Sequence, residues 1–320
     1  MTSIRSVALI GAALVALAGP HRLNAENVSQ PAPATVPMGT GPYKAVMQAD
    51  PSLPTHTLYR PADLAAAPGK LPIVAWGEGA CANEGNRFRW FLSEIASHGY
   101  LVIATGPIGP ASVETWRETP PPAPGAPPPT LPTNLPPPPT HSSQLVDAID
   151  WALAQNNRPD SAFYRRLDAG KIAVMGMSCG GVQAIEVSAD PRVTTTVVMN
   201  SGLLPDKTTM GGGRVLTKDD LKLIHAPVAY ISGDASDIAF TNGGDDFSRL
   251  EHVPALRAYR RGTTHAGTYG EANGGDFGKV ATAWLAWRLK GDAAAGRMFL
   301  GADCGLCKDP HWVVERKNLR

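Results

Sequence analysis

The residues from 71 to 105 constrain the fold of this chain most strongly. A short apolar run at residues 71–76 is stopped by Gly77-Glu78-Gly79, and residues 87–98 then carry apolar side chains at helical spacing. Gly99 follows, a residue suited to end a helix, and residues 100–105 form a second apolar run. Strand, loop, helix and strand in this order predict a parallel sheet covered by helices.

The same alternation continues along the chain. Because strand and helix patterns follow one another in chain order, the sequence predicts one α/β domain, a doubly wound and mostly parallel sheet with helices on both faces. The domain is expected to span residues 46–320, of which 301–320 form a C-terminal extension. The remaining strands are predicted at 56–60, 171–175, 193–200, 227–232 and 255–260, and the remaining helices at 142–155, after Gly181 and at 277–289.

A proline-rich segment interrupts the pattern at residues 118–140. Twelve of the twenty residues from 120 to 139 are proline, so this stretch has few backbone donors and prefers an extended conformation outside the core. It could be a linker between domains. The strands before it are too few to complete a sheet, however, and the pattern resumes directly after it, which favours an insertion into one domain.

The N-terminus has the features of an export signal. Arg5 precedes an apolar stretch at residues 7–18 that is short for a membrane span and ends in Ala16-Leu17-Ala18, a small-residue cleavage pattern. Ala25 is a second cleavage candidate, and an uncleaved anchor is the alternative. The sequence therefore predicts a signal peptide at residues 1–25, a mobile segment at 26–45, and a secreted or periplasmic protein that does not contact the membrane after cleavage.

The net charge of the chain is +1, from 29 basic and 28 acidic residues, which argues against nucleic-acid binding. We expect a monomer acting on a small-molecule or polymeric substrate. In an oxidising compartment the four cysteines can form two disulfides in three possible pairings. Cys304 and Cys307 are predicted to pair; a redox motif or half of a zinc site is the alternative. No second pair has metal-ligand spacing, so no metal is expected.

Ser178 is the candidate nucleophile. It stands in Gly176-Met177-Ser178-Cys179-Gly180, between a predicted strand and a predicted helix. This is the pattern of a strained strand-to-helix turn that exposes a serine hydroxyl, because side chains two residues either side would collide with the strand or helix. The alternative is an ordinary serine in a glycine-rich loop.

A nucleophilic serine needs a base and an acid that orients the base. His265 is the candidate base because its small-residue loop lies between a predicted strand and the last helix, at the carboxyl edge of the sheet. His225 and His252 precede strands, and His311 lies in the tail. Asp234 and Asp237 both follow the strand at 227–232. Asp237 is predicted to be the acid because it lies farther into the loop, next to the apolar Ile238, and Asp234 is the alternative.

The oxyanion of an acyl-transfer intermediate needs two backbone donors. The predicted donors are the amides of Cys179 and Glu78, with Gly79 as the alternative to Glu78. If these loops converge, Cys81 and Cys179 can form a disulfide; two buried thiols are the alternative. Further assignments concern Trp76, Trp116 and Met177, which line a substrate pocket or belong to the core, and Asp245 and Asp246, predicted to start a solvated helix.

The order of serine, acid and histidine loops resembles the α/β-hydrolase superfamily over roughly residues 46–291. Within it, Gly233-Asp234-Ala235-Ser236-Asp237-Ile238-Ala239 is similar to the acid loop of secreted cutinase-like polyester hydrolases and dienelactone-hydrolase relatives. The resemblance implies a serine esterase that cleaves carboxylic esters through an acyl-enzyme without a cofactor. A peptidase or acyltransferase with the same triad, or a non-catalytic secreted binding protein, is the alternative. Acyl and alcohol specificity is not implied.

Overall fold

Buried apolar strands alternate with helices along the chain. The computed structural model describes residues 39–67, 69–110 and 136–319. The strands are β1 Ala45–Gln48, β2 His56–Pro61, β3 Leu71–Gly77, β4 Leu101–Thr105, β5 Leu167–Met177, β6 Thr195–Met199, β7 Val228–Gly233, β8 Ala255–Arg260 and β9 Trp312–Lys317. The helices are α1 Arg89–Ser97, α2 Ser143–Asn157, α3 Cys179–Val187, α4 Phe240–Arg249, α5 Gly275–Lys290, α6 Ala293–Gly296 and α7 Gly305–Lys308.

The nine strands found in the described residues form one sheet, in the order β1-β2-β4-β3-β5-β6-β7-β8-β9. The six strands from β4 to β8 in this order run parallel, whereas β1, β2 and β9 pair antiparallel to their neighbours. Gly77 at the end of β3 lies beside Gly176 of β5, and Met177 lies beside Met199 of β6. The carboxyl ends of the central strands therefore meet at one edge of the sheet.

Successive side chains of the strands point to opposite faces, and each face has its own helices. Val74 and Trp76 of β3 belong to a core that also contains residues of α1 and α5. Ile73 and Ala75 belong to a second core, with residues of α2 and α3. The predicted α/β class, with a mostly parallel sheet between helices, is confirmed.

The first turn of α3 differs from the prediction. The helix was expected to follow Gly181, but it begins at Cys179, so Gly180 and Gly181 both lie inside it. The physical reason is close backbone contact: a side chain on Gly180 would overlap the Gly77 carbonyl, and one on Gly181 would overlap Ser201. The glycines therefore let the start of the helix lie directly on the strand ends.

The prediction that Asp245 and Asp246 start a solvated helix is wrong. Both lie in the second half of α4, and Asp246 is fully buried. The buried ammonium of Lys218 contacts carboxylate oxygens of Asp246 at 2.5 Å and Asp245 at 2.9 Å, while the Leu203 amide also donates to Asp246. The bond from the Leu203 amide to Asp246 therefore connects the loop after β6 to α4. Burial raises the pKa of Asp246 to about 6, against the lowering effect of Lys218.

The C-terminal residues complete the sheet, because β9 pairs along the full length of β8, a strand that the sequence pattern did not predict. At the other end, Thr40 donates two hydrogen bonds to the Glu94 carboxylate of α1, which holds the last residues of the predicted mobile segment. The predicted signal peptide lies outside the described residues, as do residues 118–135 of the proline-rich segment. Among the residues described, no helix is long and apolar enough to cross a bilayer.

Candidate active site

Ser178 occupies a strained turn between β5 and α3. Its backbone lies at φ 53° and ψ −116°, a region that residues with a side chain rarely adopt. The turn is held because the Ser178 amide donates to the Met199 carbonyl, while the Ser178 carbonyl accepts from the Ser201 hydroxyl at 2.6 Å. A side chain on Gly176 would overlap the Gly180 carbonyl. The glycine pattern is therefore a consequence of backbone contact at this turn.

His265 lies between Ser178 and Asp237. Its Nε2 is 2.9 Å from the Ser178 hydroxyl oxygen, and its Nδ1 is 2.6 Å from Oδ1 of Asp237. The imidazole is mostly buried, whereas Ser178 remains partly exposed. Three loops that follow β5, β7 and β8 thus bring the predicted nucleophile, acid and base into one hydrogen-bonded line.

Asp237, not Asp234, faces the imidazole. The Asp237 carboxylate is buried and also accepts hydrogen bonds from the amides of Gly233 and Ala239. Asp234 instead accepts from the amides of Ser236 and Gly262. Burial opposes the ionisation of Asp234, but these hydrogen bonds outweigh it and lower its pKa. Asp234 therefore stabilises the loop and takes no part in the contact with His265.

Two further residues contact this line and were missed by the sequence analysis. The Asn200 side-chain amide donates to Oδ2 of Asp237 at 2.8 Å, and its carbonyl oxygen accepts from the Tyr269 hydroxyl at 2.6 Å. Both side chains are fully buried. The position of Asn200 directly after β6 was a usable signal, because that strand also ends at the edge where Ser178 and Asp237 lie.

The loop after β3 supplies the predicted second amide. In the structure, the Glu78 amide donates a long hydrogen bond of 3.4 Å to the Thr105 hydroxyl of β4. Gly79 begins a short 3₁₀ turn, Gly79–Cys81, in which Ala80 and Cys81 have positive φ values of 56° and 48°. The two loops lie in contact, since a side chain on Gly180 would also crowd the Glu78 amide.

Both candidate cysteine pairs are disulfides in the structure. Cys81 and Cys179 are joined with a Cα–Cα distance of 5.2 Å, and Cys304 and Cys307 with 4.9 Å. The first pair is almost completely buried and links the loop after β3 to the residue that follows Ser178. Thr140, the last residue of the proline-rich segment, donates to the Cys81 carbonyl through both its amide and its hydroxyl.

The Glu78 side chain is fully buried in the loop after β3. Neither carboxylate oxygen has a hydrogen-bond partner among the described residues, and the side chain has no solvent exposure. Burial therefore raises the pKa of Glu78 well above its usual range, although the Trp76 indole and the Arg87 guanidinium offset part of the effect. Burial thus favours the protonated form of this carboxyl, which belongs to the same residue as the predicted oxyanion donor.

The other predicted residues lie elsewhere. Trp76 and Met177 are fully buried members of the same core, and Trp116 lies outside the described residues. His225 bonds the Val193 carbonyl, and His252 bonds the Ile224 carbonyl. His311 is exposed and hydrogen-bonds through its backbone to Arg261 and Asp309.

Across residues 39–67, 69–110 and 136–319, no group of three or more His, Cys, Asp and Glu side chains is arranged to hold a metal ion. No known family model matches the chain, and none of the curated proteins matches it.

Proposed function

We propose that the chain is a serine hydrolase with the fold of the α/β-hydrolase superfamily, and that it cleaves carboxylic esters through an acyl-enzyme. The observation that carries the proposal is the position of His265, within hydrogen-bond reach of both Ser178 and Asp237. A base in contact with a nucleophile and with an orienting carboxylate is the arrangement that activates a serine hydroxyl.

In the first half of the reaction, Ser178 Oγ attacks the ester carbonyl and its proton passes to Nε2 of His265. Asp237 stabilises the resulting imidazolium and keeps the proton on Nδ1, so that Nε2 is the nitrogen able to accept. The tetrahedral intermediate then collapses. The C–O bond of the ester breaks, and the Nε2 proton is transferred to the departing alkoxide, which leaves as the alcohol.

In the second half, water takes the place of the alcohol. His265 removes a proton from this water, whose oxygen attacks the acyl carbon, and collapse returns the proton to Ser178 Oγ as the acid is released. Negative charge on the substrate oxygen develops in both halves. The Cys179 amide is positioned to stabilise it because it follows Ser178 at the start of α3, where helix amides are unpaired.

The second donor belongs to the loop at residues 77–80. The Glu78 amide would have to exchange its long bond with Thr105 for the oxyanion, and the Gly79 amide is the alternative donor. Both amides belong to the backbone that is anchored to the nucleophile turn by Cys81–Cys179. The disulfide therefore fixes the distance between the two donors, whichever of these amides supplies the second.

The proposal is tested with the purified full-length protein and p-nitrophenyl butyrate. We expect turnover by the wild-type protein and a loss of about 10⁴-fold or more in kcat for Ser178→Ala. Ser248→Ala is the matched control, since its exposed hydroxyl donates to the Asp245 carbonyl within α4. Turnover that persists in Ser178→Ala would refute the role of Ser178.

The compartment is part of the proposal. An apolar N-terminus with small residues at the cleavage positions, together with two disulfides, supports export to an oxidising compartment. The mass of the exported protein should show that the chain begins after Ala18 or Ala25. A full-length mass in the exported fraction would contradict cleavage.

A further inference from the structure

The buried side chain of Asn200 is set between Asp237 and Tyr269. From the geometry we infer that Asn200 and Tyr269 are positioning residues, which fix the Asp237 carboxylate so that one oxygen is committed to His265. The inference rests on the proposed function and deepens it. Neither residue touches the reacting atoms, so both act through Asp237.

The two oxygens of Asp237 have different partners. Oδ1 accepts from Nδ1 of His265 and from the backbone amide of Ala239. Oδ2 accepts from the side-chain amide of Asn200 and from the backbone amide of Gly233. Without the Asn200 donor, Oδ2 keeps the Gly233 amide as its one partner among the described residues. The carboxylate can then rotate about its terminal torsion, which is broad. Rotation would move Oδ1 away from the imidazole and weaken its orientation.

Asn200 can hold this bond only if its amide is correctly oriented. The Tyr269 hydroxyl donates to the amide oxygen of Asn200, and this leaves the amide nitrogen facing Asp237. Burial, and after it the nearby charge of Asp237, raises the pKa of Tyr269 well above its usual value, so the hydroxyl keeps the proton that it donates. Tyr269 thus selects the working orientation of Asn200.

The backbone and the surrounding rings fix both residues. Asn200 has a φ of 43°, a left-handed conformation that asparagine tolerates better than most residues. Its backbone amide donates to the Ile231 carbonyl. The Tyr269 ring packs edge-on against Phe88, Phe91 and Phe277, at centroid distances of 4.9 to 5.3 Å. Hydrogen bonds link His265 to Asp237, Asp237 to Asn200, and Asn200 to Tyr269. Tyr269 follows His265 by four residues, so this chain of bonds begins and ends in the segment after β8.

Three variants separate donation from packing. Asn200→Asp keeps the volume and tolerates the backbone, but it replaces the donor with an acceptor; Asn200→Gly keeps the backbone and removes the side chain. Tyr269→Phe removes only the hydroxyl. Tyr100→Phe is the matched control, because Tyr100 is a fully buried tyrosine of the same core whose hydroxyl has no hydrogen-bond partner among the described residues.

The measurement is the second-order rate of labelling by a fluorophosphonate, with kcat and KM for p-nitrophenyl butyrate and a thermal unfolding curve for each protein. We expect labelling and kcat to fall about 10- to 100-fold in both Asn200 variants and about 2- to 10-fold in Tyr269→Phe, with KM little changed. Tyr100→Phe should match the wild-type protein. A purely structural role would instead lower the unfolding temperature and leave kcat per folded molecule unchanged.

Wild-type rates in folded Asn200→Gly and Tyr269→Phe would overturn the inference while leaving the proposed function intact. A wild-type protein that neither labels nor turns over ester would overturn the proposed function, and the inference with it. If an Asn200 variant does not fold, Tyr269→Phe decides the question, since it removes one oxygen atom only.

Discussion

Replacing Glu78 with glutamine should remove a dependence of stability on pH. The wild-type carboxyl is buried without a hydrogen-bond partner among the described residues, and burial raises its pKa. Above its ordinary pKa of 4.5, the unfolded chain releases this proton and the folded chain retains it. A group that is protonated only in the folded state makes the free energy of unfolding fall as pH rises, until the pH passes the raised pKa.

The expected slope follows from proton linkage. One proton bound only by the folded state lowers the free energy of unfolding by about 1.4 kcal/mol for each pH unit. As the pH rises above 4.5, the wild-type protein should therefore lose stability relative to Glu78→Gln, with a slope that cannot exceed this limit. The neutral amide has nearly the shape of the protonated acid, so the two proteins should differ least below pH 4.5, where wild-type Glu78 is neutral in both states.

Urea unfolding followed by tryptophan fluorescence at several pH values measures this difference. Taking the difference between the two proteins removes the contributions of all other titrating groups. Glu251→Gln is the control, because Glu251 is exposed and is not among the charges that shift the pKa of Glu78; we expect it to keep the wild-type pH dependence. Parallel curves for the wild-type protein and Glu78→Gln would refute the account of a neutral buried acid.

The remaining predictions concern the acid, the buried ion pair and the disulfide. Asp237→Asn should lower kcat for p-nitrophenyl butyrate by about 10⁴-fold, whereas Asp234→Asn should change it little; equal losses would contradict the assignment. Lys218→Met should lower the free energy of unfolding at pH 8 by about 3–5 kcal/mol, because it leaves the Asp246 carboxylate buried without its cation. Adding Asp246→Asn should restore most of the lost stability, and a double variant as unstable as Lys218→Met would refute the pairing. Changing Cys81 and Cys179 to serine should cost about 2–5 kcal/mol, since the bond closes a loop with a sequence separation of 98, whereas the same change at Cys304 and Cys307, three residues apart, should cost less. Urea unfolding measures both stability effects.

The sheet and the central contacts of the site could be predicted because their signals are local. Apolar runs and glycine stops marked the strands, and the rule that parallel strands end at one edge indicated that Ser178, Asp237 and His265 would meet. The choice between Asp234 and Asp237 followed from position in the loop. The disulfide between Cys81 and Cys179 could be named but not decided, because it depends on how closely the two loops approach.

What the sequence could not predict depends on distant partners. Asp246 can be buried because the Lys218 ammonium contacts it, although the two residues are 28 positions apart in the sequence. No local sequence pattern distinguishes such an aspartate from one exposed to solvent. The role of Asn200 requires Asp237 and Tyr269 in place, which are 37 and 69 residues away. The start of α3 at Cys179 reflects backbone contact with β3, which a helix pattern does not record.

The central claim is that Ser178 is a nucleophile activated by His265. It is tested most directly by reacting the native full-length protein with a fluorophosphonate and locating the adduct by peptide mass mapping. We expect one adduct, on the peptide that contains Ser178, and none in Ser178→Ala or in protein unfolded by urea. The absence of an adduct on the native protein, or an adduct that persists in Ser178→Ala, would contradict the account.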